Sequence, residues 1–267
     1  MSARGSLLLV VDVGNTHTVL GVYRGAELVG HWRIASEAHR TPDEVGVLLR
    51  SLFQVTRVAV GDIQGIAISS VVPALTPTFE EVAQAYLHRK PLVVGPGVKS
   101  GMPIHYEDPR EVGADRIVNA VAGYEKYKTA LIIVDFGTAT TFDYVSAEGA
   151  YMGGMIAPGL AISMEALFAR TSKLPKVALV RPARVLGRNT VHSMQSGIWF
   201  GYAALVDGLI DRLGQEVGGK PVVVATGGLA PVIAAETRRI DHVDEFLTLE
   251  GLRIIYDRNA AEPNRAT

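Results

Sequence analysis

The chain has 267 residues, 48% of them hydrophobic and 20% charged, with 26 Lys+Arg against 27 Asp+Glu for a formal net charge of -1. Such a composition buries a core and excludes a disordered chain, and the balanced charge argues against nucleic acid or an acidic membrane surface as partner. No cysteine is present, which removes disulfides, thiolate zinc sites and Cys nucleophiles and suits a reducing compartment. The longest uncharged stretch, Asn189 to Val206, is polar, and the apolar run Leu7 to Val11 is too short for a secretory signal core. A soluble, intracellular, cytoplasmic protein is expected.

Along the chain, Leu7 to Val11 is a continuous apolar run and predicts a buried strand. Thr18 to Tyr23 and Glu27 to Ile34 flank Arg24-Gly25-Ala26 and predict a hairpin. Thr41-Pro42-Asp43-Glu44 has the residues of a capping box and predicts a helix to about Gln54. Gly65 to Val72 predicts a strand, Thr76-Pro77 a capped helix to about Arg89, and Pro91 to Val94 a short strand. Asp108-Pro109-Arg110-Glu111 repeats the capping signature and predicts a helix to about Tyr127.

The pattern then restarts. Ala130 to Val134 predicts a buried strand, and Thr140 to Val145 with Ala150 to Ile156 the next hairpin. Helices are expected after Pro158 and over Thr190 to Leu213, where Asn189 is the natural cap. Pro221 to Ala225 predicts a strand, followed by a Gly-Gly turn, a short helix, a last helix over Leu249 to Asn259, and a frayed tail from Glu262 to Thr267.

The restart carries an echo. Asp12-Val13-Gly14-Asn15-Thr16-His17-Thr18 and Asp135-Phe136-Gly137-Thr138-Ala139-Thr140-Thr141 each follow an apolar strand and precede another. Asp, Gly and Thr coincide at 12/135, 14/137 and 18/141, which predicts two similarly built halves, 1–120 and 121–267. In each copy a carboxylate ends a buried strand, Gly permits a sharp turn, and backbone N–H groups with Asn15, Thr16 and Thr18 line an anion cradle. Asp12 is acceptor-only and suits magnesium, directly or through water. An Asx turn between strands would look the same. The residues after the turn, Val19-Leu20-Gly21-Val22-Tyr23, form a strand rather than a helix, unlike Walker and dinucleotide loops. Gly95-Pro96-Gly97-Val98-Lys99-Ser100 only imitates a Walker loop, since Val98 stands where Gly is needed.

Gly113-Ala114-Asp115-Arg116 sets an acid beside an arginine. The carboxylate can accept a hydroxyl proton and the guanidinium can hold a carboxylate, although an Asp near a helix start also has a plain dipole role. Ala225-Thr226-Gly227-Gly228-Leu229 fits an adenosine group lying on bare backbone, or an ordinary strand–helix turn. The seven His residues have no metal-ligand spacing, and no G-x-S-x-G elbow occurs.

These motifs occur in order with Gly95 to Lys99 and Gly153-Gly154-Met155-Ile156-Ala157-Pro158-Gly159, and together the chain resembles the type III pantothenate kinases from about Leu8 to Leu229. The resemblance implies an α/β fold of two ribonuclease-H-like, actin-like ATPase lobes with mixed sheets flanked by helices. It also implies ATP-dependent phosphorylation of pantothenate, the first step toward coenzyme A. By position, Asp12, Val13, Gly14, Asn15, Thr16, His17, Thr18 and Val19 would hold ATP, with Asp12 near magnesium and Thr138 a further nucleotide contact. Asp115 would accept the proton, while Tyr106, Gly113, Ala114, Arg116 and Thr190 would bind pantothenate. Asp135 would bind a monovalent cation, potassium or ammonium, and a homodimer would complete the substrate pocket. His17 departs from the Asn common there. Other readings are a sugar or acetate kinase of the same architecture, or a nucleotide-binding regulator, which would dispense with Asp115 and Arg116.

Overall fold

A computed structural model describes residues 6–260 of the chain. They divide into two compact units, one formed by the described residues up to Lys126 together with those from Leu247 on, the other by Tyr127–Phe246. The expected division at residue 120 falls instead after Lys126, and the last helix, expected in the second half, belongs to the first unit. The tail expected to fray, Glu262 to Thr267, lies outside the described residues.

The first unit has a five-stranded sheet of order β3-β2-β1-β4-β5, with β1 at Leu7–Val13, β2 at His17–Arg24, β3 at Glu27–Ala35, β4 at Ile63–Ser70 and β5 at Leu92–Val93. β1 runs antiparallel to β2 and parallel to β4. Leu7, Leu9, Val11 and Val13 point into a core with Phe53 of α1 (Pro42–Thr56) and Phe79 of α2 (Thr76–Ala85). The terminal helix, α7 (Leu247–Ala260), packs on β1, β2 and β4, where Gly65 makes room for Tyr256 and Gly21 for Leu249. β1 is thus buried on both faces, which is why its sequence is a continuous apolar run.

The capping box of α1 forms as expected: Glu44 N–H donates to Thr41 Oγ1 at 3.3 Å, and Thr41 N–H to Glu44 Oε2 at 2.7 Å. Two other expected helix starts change. Thr76 is the first residue of α2 rather than its cap, and its hydroxyl donates to Ser70 Oγ at 2.7 Å. Asp108 caps only a 3-10 turn, Pro109–Glu111, before the chain extends at Val112 and α3 begins afresh at Ala114–Tyr127.

The second unit repeats the topology. Its strands are β6 at Leu131–Phe136, β7 at Ala139–Val145, β8 at Tyr151–Pro158, β9 at Val222–Thr226 and β10 at His242–Val243, in the order β10-β9-β6-β7-β8. Read from the other edge this is the first sheet again, with β6 antiparallel to β7 and parallel to β9. Val134, Phe136 and Phe142 face a core with Tyr202, Val206 and Ile210 of α5 (Thr190–Val217). The remaining helices are α4 (Leu160–Ala169) and α6 (Ala230–Ala234). Both units are ribonuclease-H-like lobes. β10 carries no sequence signal because its two residues are exposed.

Register corrects one detail of the echo. Val13 pairs with Thr18, and Phe136 pairs with Thr140. The second turn is one residue shorter, so Thr18 corresponds to Thr140, not to Thr141. Both are buried and both hydroxyls are engaged, Thr18 with Ser36 Oγ at 2.8 Å and Thr140 with the Tyr202 hydroxyl. Among the described residues no helix is long and apolar enough to cross a membrane.

Candidate functional site

In open sheets of this kind ligands bind beyond the carboxyl ends of the strands, where the chain direction switches. In the first unit that place is the end of β1 and β4. Asp12 stands in register with Val19 on one side and Ser69 on the other. The turn after it is tight: Gly14 N–H donates to the His17 carbonyl at 3.1 Å, and a Cβ on Gly14 would come within 2.9 Å of that oxygen. Ser36 N–H donates to the Thr16 carbonyl at 3.0 Å, fixing the turn to the end of β3.

Asn15, Thr16 and His17 are left exposed at the tip, while Val13 and Thr18 face inward. The expectation that Thr18 lends a side-chain donor to the cradle is therefore revised. Its hydroxyl lies against Ser36, and only its backbone belongs to the turn. Ser69, which sequence reasoning passed over, is fully buried and its hydroxyl has no hydrogen-bond partner. A Ser-Ser pair ending an apolar strand was its only signal.

The Gly113–Arg116 segment meets the same strand ends. Val71 follows β4, and its N–H donates to the Val13 carbonyl at 3.1 Å. A Cβ on Gly113 would lie 3.6 Å from Val71 Cγ1 and 2.5 Å from Asp115 Oδ1. Gly113 also opens α3, its carbonyl accepting from the N–H groups of Arg116 at 3.1 Å and Ile117 at 3.3 Å. Asp115 thus sits in the first turn of the helix, half-buried, with Oδ1 accepting the Arg116 N–H at 2.8 Å.

Burial pushes the Asp115 carboxyl above the usual aspartate range, against the lowering effect of that backbone bond and of the Arg116 charge. The Arg116 residue is itself buried. A raised carboxyl in a partly wet position has the character of a proton acceptor.

Beside Ala114 lies a cavity of about 300 Å³, lined mainly by Val94, Val98, Ile104, Val112 and Ile117, a size within the range of small-molecule pockets. Tyr106 lies half-buried in the loop before α3. The loop that imitates a Walker motif does other work. The Lys99 N–H donates to Asn259 Oδ1 at 3.2 Å, and Asn259 Nδ2 returns a bond to the Lys99 carbonyl at 3.0 Å, stapling the loop to α7.

In the second unit Asp135 takes the register position of Asp12, between Thr141 on β7 and Thr226 on β9. Gly227 has a φ of +90°, and a Cβ there would lie 2.6 Å from Asp135 Oδ1 and 2.8 Å from the Phe136 backbone. The glycine is therefore demanded both by its backbone angle and by close approach to the carboxylate. Gly159 lies against the carbonyls of Gly137 and Thr138, leaving Thr138 half-buried on the turn. Thr190 occupies the first turn of α5, where Asn189 Oδ1 accepts the His192 N–H at 2.8 Å. It lines an open cavity of about 630 Å³ with Leu167, Arg188 and Met194.

Of the expected site residues, Asp12 and Gly113–Arg116 are drawn to the same strand ends in one unit, and Asp135 and Thr138 share one turn in the other. Thr190 belongs to a different cavity of that second unit.

The family profile described as type III pantothenate kinase matches residues 8–212. A type III pantothenate kinase of Geobacter sulfurreducens is 58% identical over 253 residues, covering 95% of this chain and 99% of that protein. One of Myxococcus xanthus is 55% identical over 255 residues, covering 96% of this chain and all of the relative. Among solved structures, a Campylobacter jejuni protein described as a Baf family transcriptional activator superposes with a TM-score of 0.60 at 19% identity, over 95% of this chain and 100% of the other. A polyphosphate/ATP-glucomannokinase from Arthrobacter gives 0.51 at 13% identity, over 96% of this chain and all of the other. At such identities the structures speak for the fold alone. The sequence relatives, matched over nearly their whole length, decide the family: the chain belongs to the type III pantothenate kinases.

Proposed function

We propose that this chain transfers the γ-phosphoryl group of ATP to pantothenate, giving 4'-phosphopantothenate in the first step of coenzyme A biosynthesis, as a cytoplasmic enzyme. The observation that carries the mechanism is the placement of Asp115: a half-buried carboxyl raised by desolvation, at a helix start that lies against Val71, the residue after β4 that hydrogen-bonds the end of β1.

Phosphoryl transfer asks a protein chiefly for alignment and neutralised charge. The turn Asp12 to Val19 offers backbone N–H groups and exposed Asn15, Thr16 and His17 to the phosphates, and Thr138 serves as a further nucleotide contact. Asp12, acceptor-only and half-buried at a strand end, fits a magnesium ion held through water. Magnesium, when bound, neutralises the phosphate oxygens. Asp115 accepts the proton of the primary hydroxyl as its oxygen attacks the γ-phosphorus, and Arg116 holds the substrate carboxylate. Tyr106, Gly113 and Ala114 shape the acceptor site. Asp135 holds a monovalent cation, potassium or ammonium.

Thr190 completes the acceptor site from the partner subunit of a homodimer. Dimerisation is supported by α4, which buries only Leu160 of its ten residues and leaves Ile162 and Phe168 exposed, with Val185, Leu186 and Val191 exposed nearby in sequence. The reading is tested by coupling ADP formation to NADH oxidation with pantothenate, sugars and acetate as acceptors, in magnesium and potassium. Pantothenate-dependent turnover is expected. Turnover with a sugar and none with pantothenate would overturn it.

A further inference from the structure

Asp143 is a carboxylate with no exposed surface, and the reaction as described does not use it. It lies on β7 two residues beyond Thr141, on the sheet face that also carries Asp135. Its Oδ1 accepts the Tyr151 hydroxyl at 2.7 Å, and its Oδ2 accepts the Thr141 hydroxyl at 3.0 Å. Tyr151 is itself fully buried. The network is therefore rigid, and it fixes the one hydrogen of the Thr141 hydroxyl.

A hydroxyl has one proton to give and two lone pairs. Because the Thr141 proton is committed to Asp143, the oxygen presents only lone pairs to its other neighbours. The cross-strand neighbour on that face is Asp135, whose carboxylate when ionised is also an acceptor alone. Side chains so paired have Cβ atoms about 5 Å apart. Both residues are half-buried rather than sealed. Gly227 and Gly137 bring bare backbone close to Asp135 Oδ1, at 2.6 and 3.9 Å from where their Cβ atoms would stand. Two hard oxygens, one from a carboxylate and one from a hydroxyl, on neighbouring strands form a donor set for a cation, and such oxygens suit a hard one.

We propose that Thr141 Oγ1 is a second cation ligand beside Asp135, and that Asp143, held by Tyr151, is a positioning residue that keeps the Thr141 proton turned away from the ion. The inference rests on the cation reading of Asp135 and adds to it Thr141, the last residue of the turn motif, and Asp143, which lies beyond the motif.

The test compares the wild type with Thr141→Val, which keeps the shape and removes the oxygen, and Thr141→Ser, which keeps the oxygen. Thermal unfolding is followed in KCl and in choline chloride of equal ionic strength, and turnover is titrated with potassium. KCl is expected to stabilise the wild type and T141S but not T141V, and the half-saturating potassium for T141V should rise about tenfold or more. An unchanged KCl response in T141V would overturn the assignment, as would a variant that keeps that response and loses only the stabilisation by nucleotide. A wild type indifferent to potassium in both measurements would remove the cation from Asp135 itself, leaving the kinase reading to the acceptor assay. If T141V does not fold, wild-type crystals soaked in rubidium chloride decide. An anomalous peak touching both Asp135 and Thr141 Oγ1 supports the proposal, and any other position, or no peak, overturns it.

Discussion

Gly113→Ala should disable the enzyme through a single contact. The new Cβ would stand 2.5 Å from Asp115 Oδ1, whereas side-chain Cβ atoms essentially never approach another atom closer than 3.0 Å. The carboxylate must retreat by at least 0.5 Å to reach that limit, and by 0.9 Å to reach ordinary contact at 3.4 Å. Rotation about the Asp115 side chain supplies the retreat at the expense of the 2.8 Å bond from the Arg116 N–H. A hydrogen bond to a charged group contributes about 1.5–3 kcal/mol, and Ala in place of Gly returns about 0.4–1 kcal/mol by restricting the unfolded chain. The net loss of stability is thus about 0.5–2.6 kcal/mol, a fall of a few degrees in Tm. The kinetic effect is larger, because a displacement approaching 1 Å at a reacting group costs about 100-fold. A coupled ADP assay should show kcat reduced about 100-fold with the KM for ATP little changed. In an Asp115→Asn background the same substitution should add almost nothing, since both act on one carboxylate. Near-normal turnover in G113A, or additive losses in the double variant, would refute the link between this glycine and the proton acceptor.

Three further outcomes follow from the same geometry. The Asp115 carboxyl is raised in the folded chain, so the native state binds the extra proton and its stability declines as pH rises from the unfolded pKa through the folded one. Asp115→Asn should therefore unfold at a higher temperature than the wild type near neutral pH, with the gap closing in acid, and a gap that widens in acid would contradict the burial argument. Ser69→Ala removes a buried hydroxyl without a hydrogen-bond partner, so nucleotide-free protein should be as stable as the wild type or more so by up to about 1–3 kcal/mol. A Tm lowered by several degrees would show that the hydroxyl is satisfied after all. Phe168→Asp on the exposed side of α4 should shift the protein from dimer to monomer in sedimentation, and loss of pantothenate turnover in parallel would tie Thr190 to the partner's site.

Much of this arrangement was legible because it depends on local physics. β1 and β6 are buried from end to end, so each reads as an unbroken apolar run that stops at an aspartate. The capping box at Thr41 satisfies its own N–H groups within four residues and needs no tertiary partner. The same signature at Asp108 misleads, because three residues of 3-10 turn are enough to use it. The true helix start is a glycine, chosen for its closeness to Asp115 and Val71, which sequence does not display. The place of α7 in the first unit is set by Tyr256 against Gly65 and Gly251 against Val118, contacts across long separations. The hydroxyls of Ser69 and Thr141 acquire meaning only from strand register.

Register also gives a physical reason for the different cations proposed for the two copies of one lobe. Asp12 and Asp135 are equivalent, and so are Ser69 and Thr226, both buried hydroxyl residues on the parallel neighbour. The position on the antiparallel neighbour distinguishes the copies, being Val19 in the first and Thr141 in the second. Beside Asp12 the valine side chain offers no lone pair, so this cross-strand position supplies no ligand, and an ion near the carboxylate would keep water or phosphate oxygen there. Beside Asp135 the Thr141 hydroxyl, its proton held by Asp143, would under the proposal above replace one such water. A strongly hydrated magnesium ion suits the first environment and a weakly hydrated monovalent ion the second. On this reading, the exchange of one β-branched residue for another of nearly the same shape leaves the fold untouched while changing which cation each lobe would prefer. Val19→Thr should therefore leave the magnesium requirement in place, because β2 has no buried acid at the position of Asp143: Gly21 stands there.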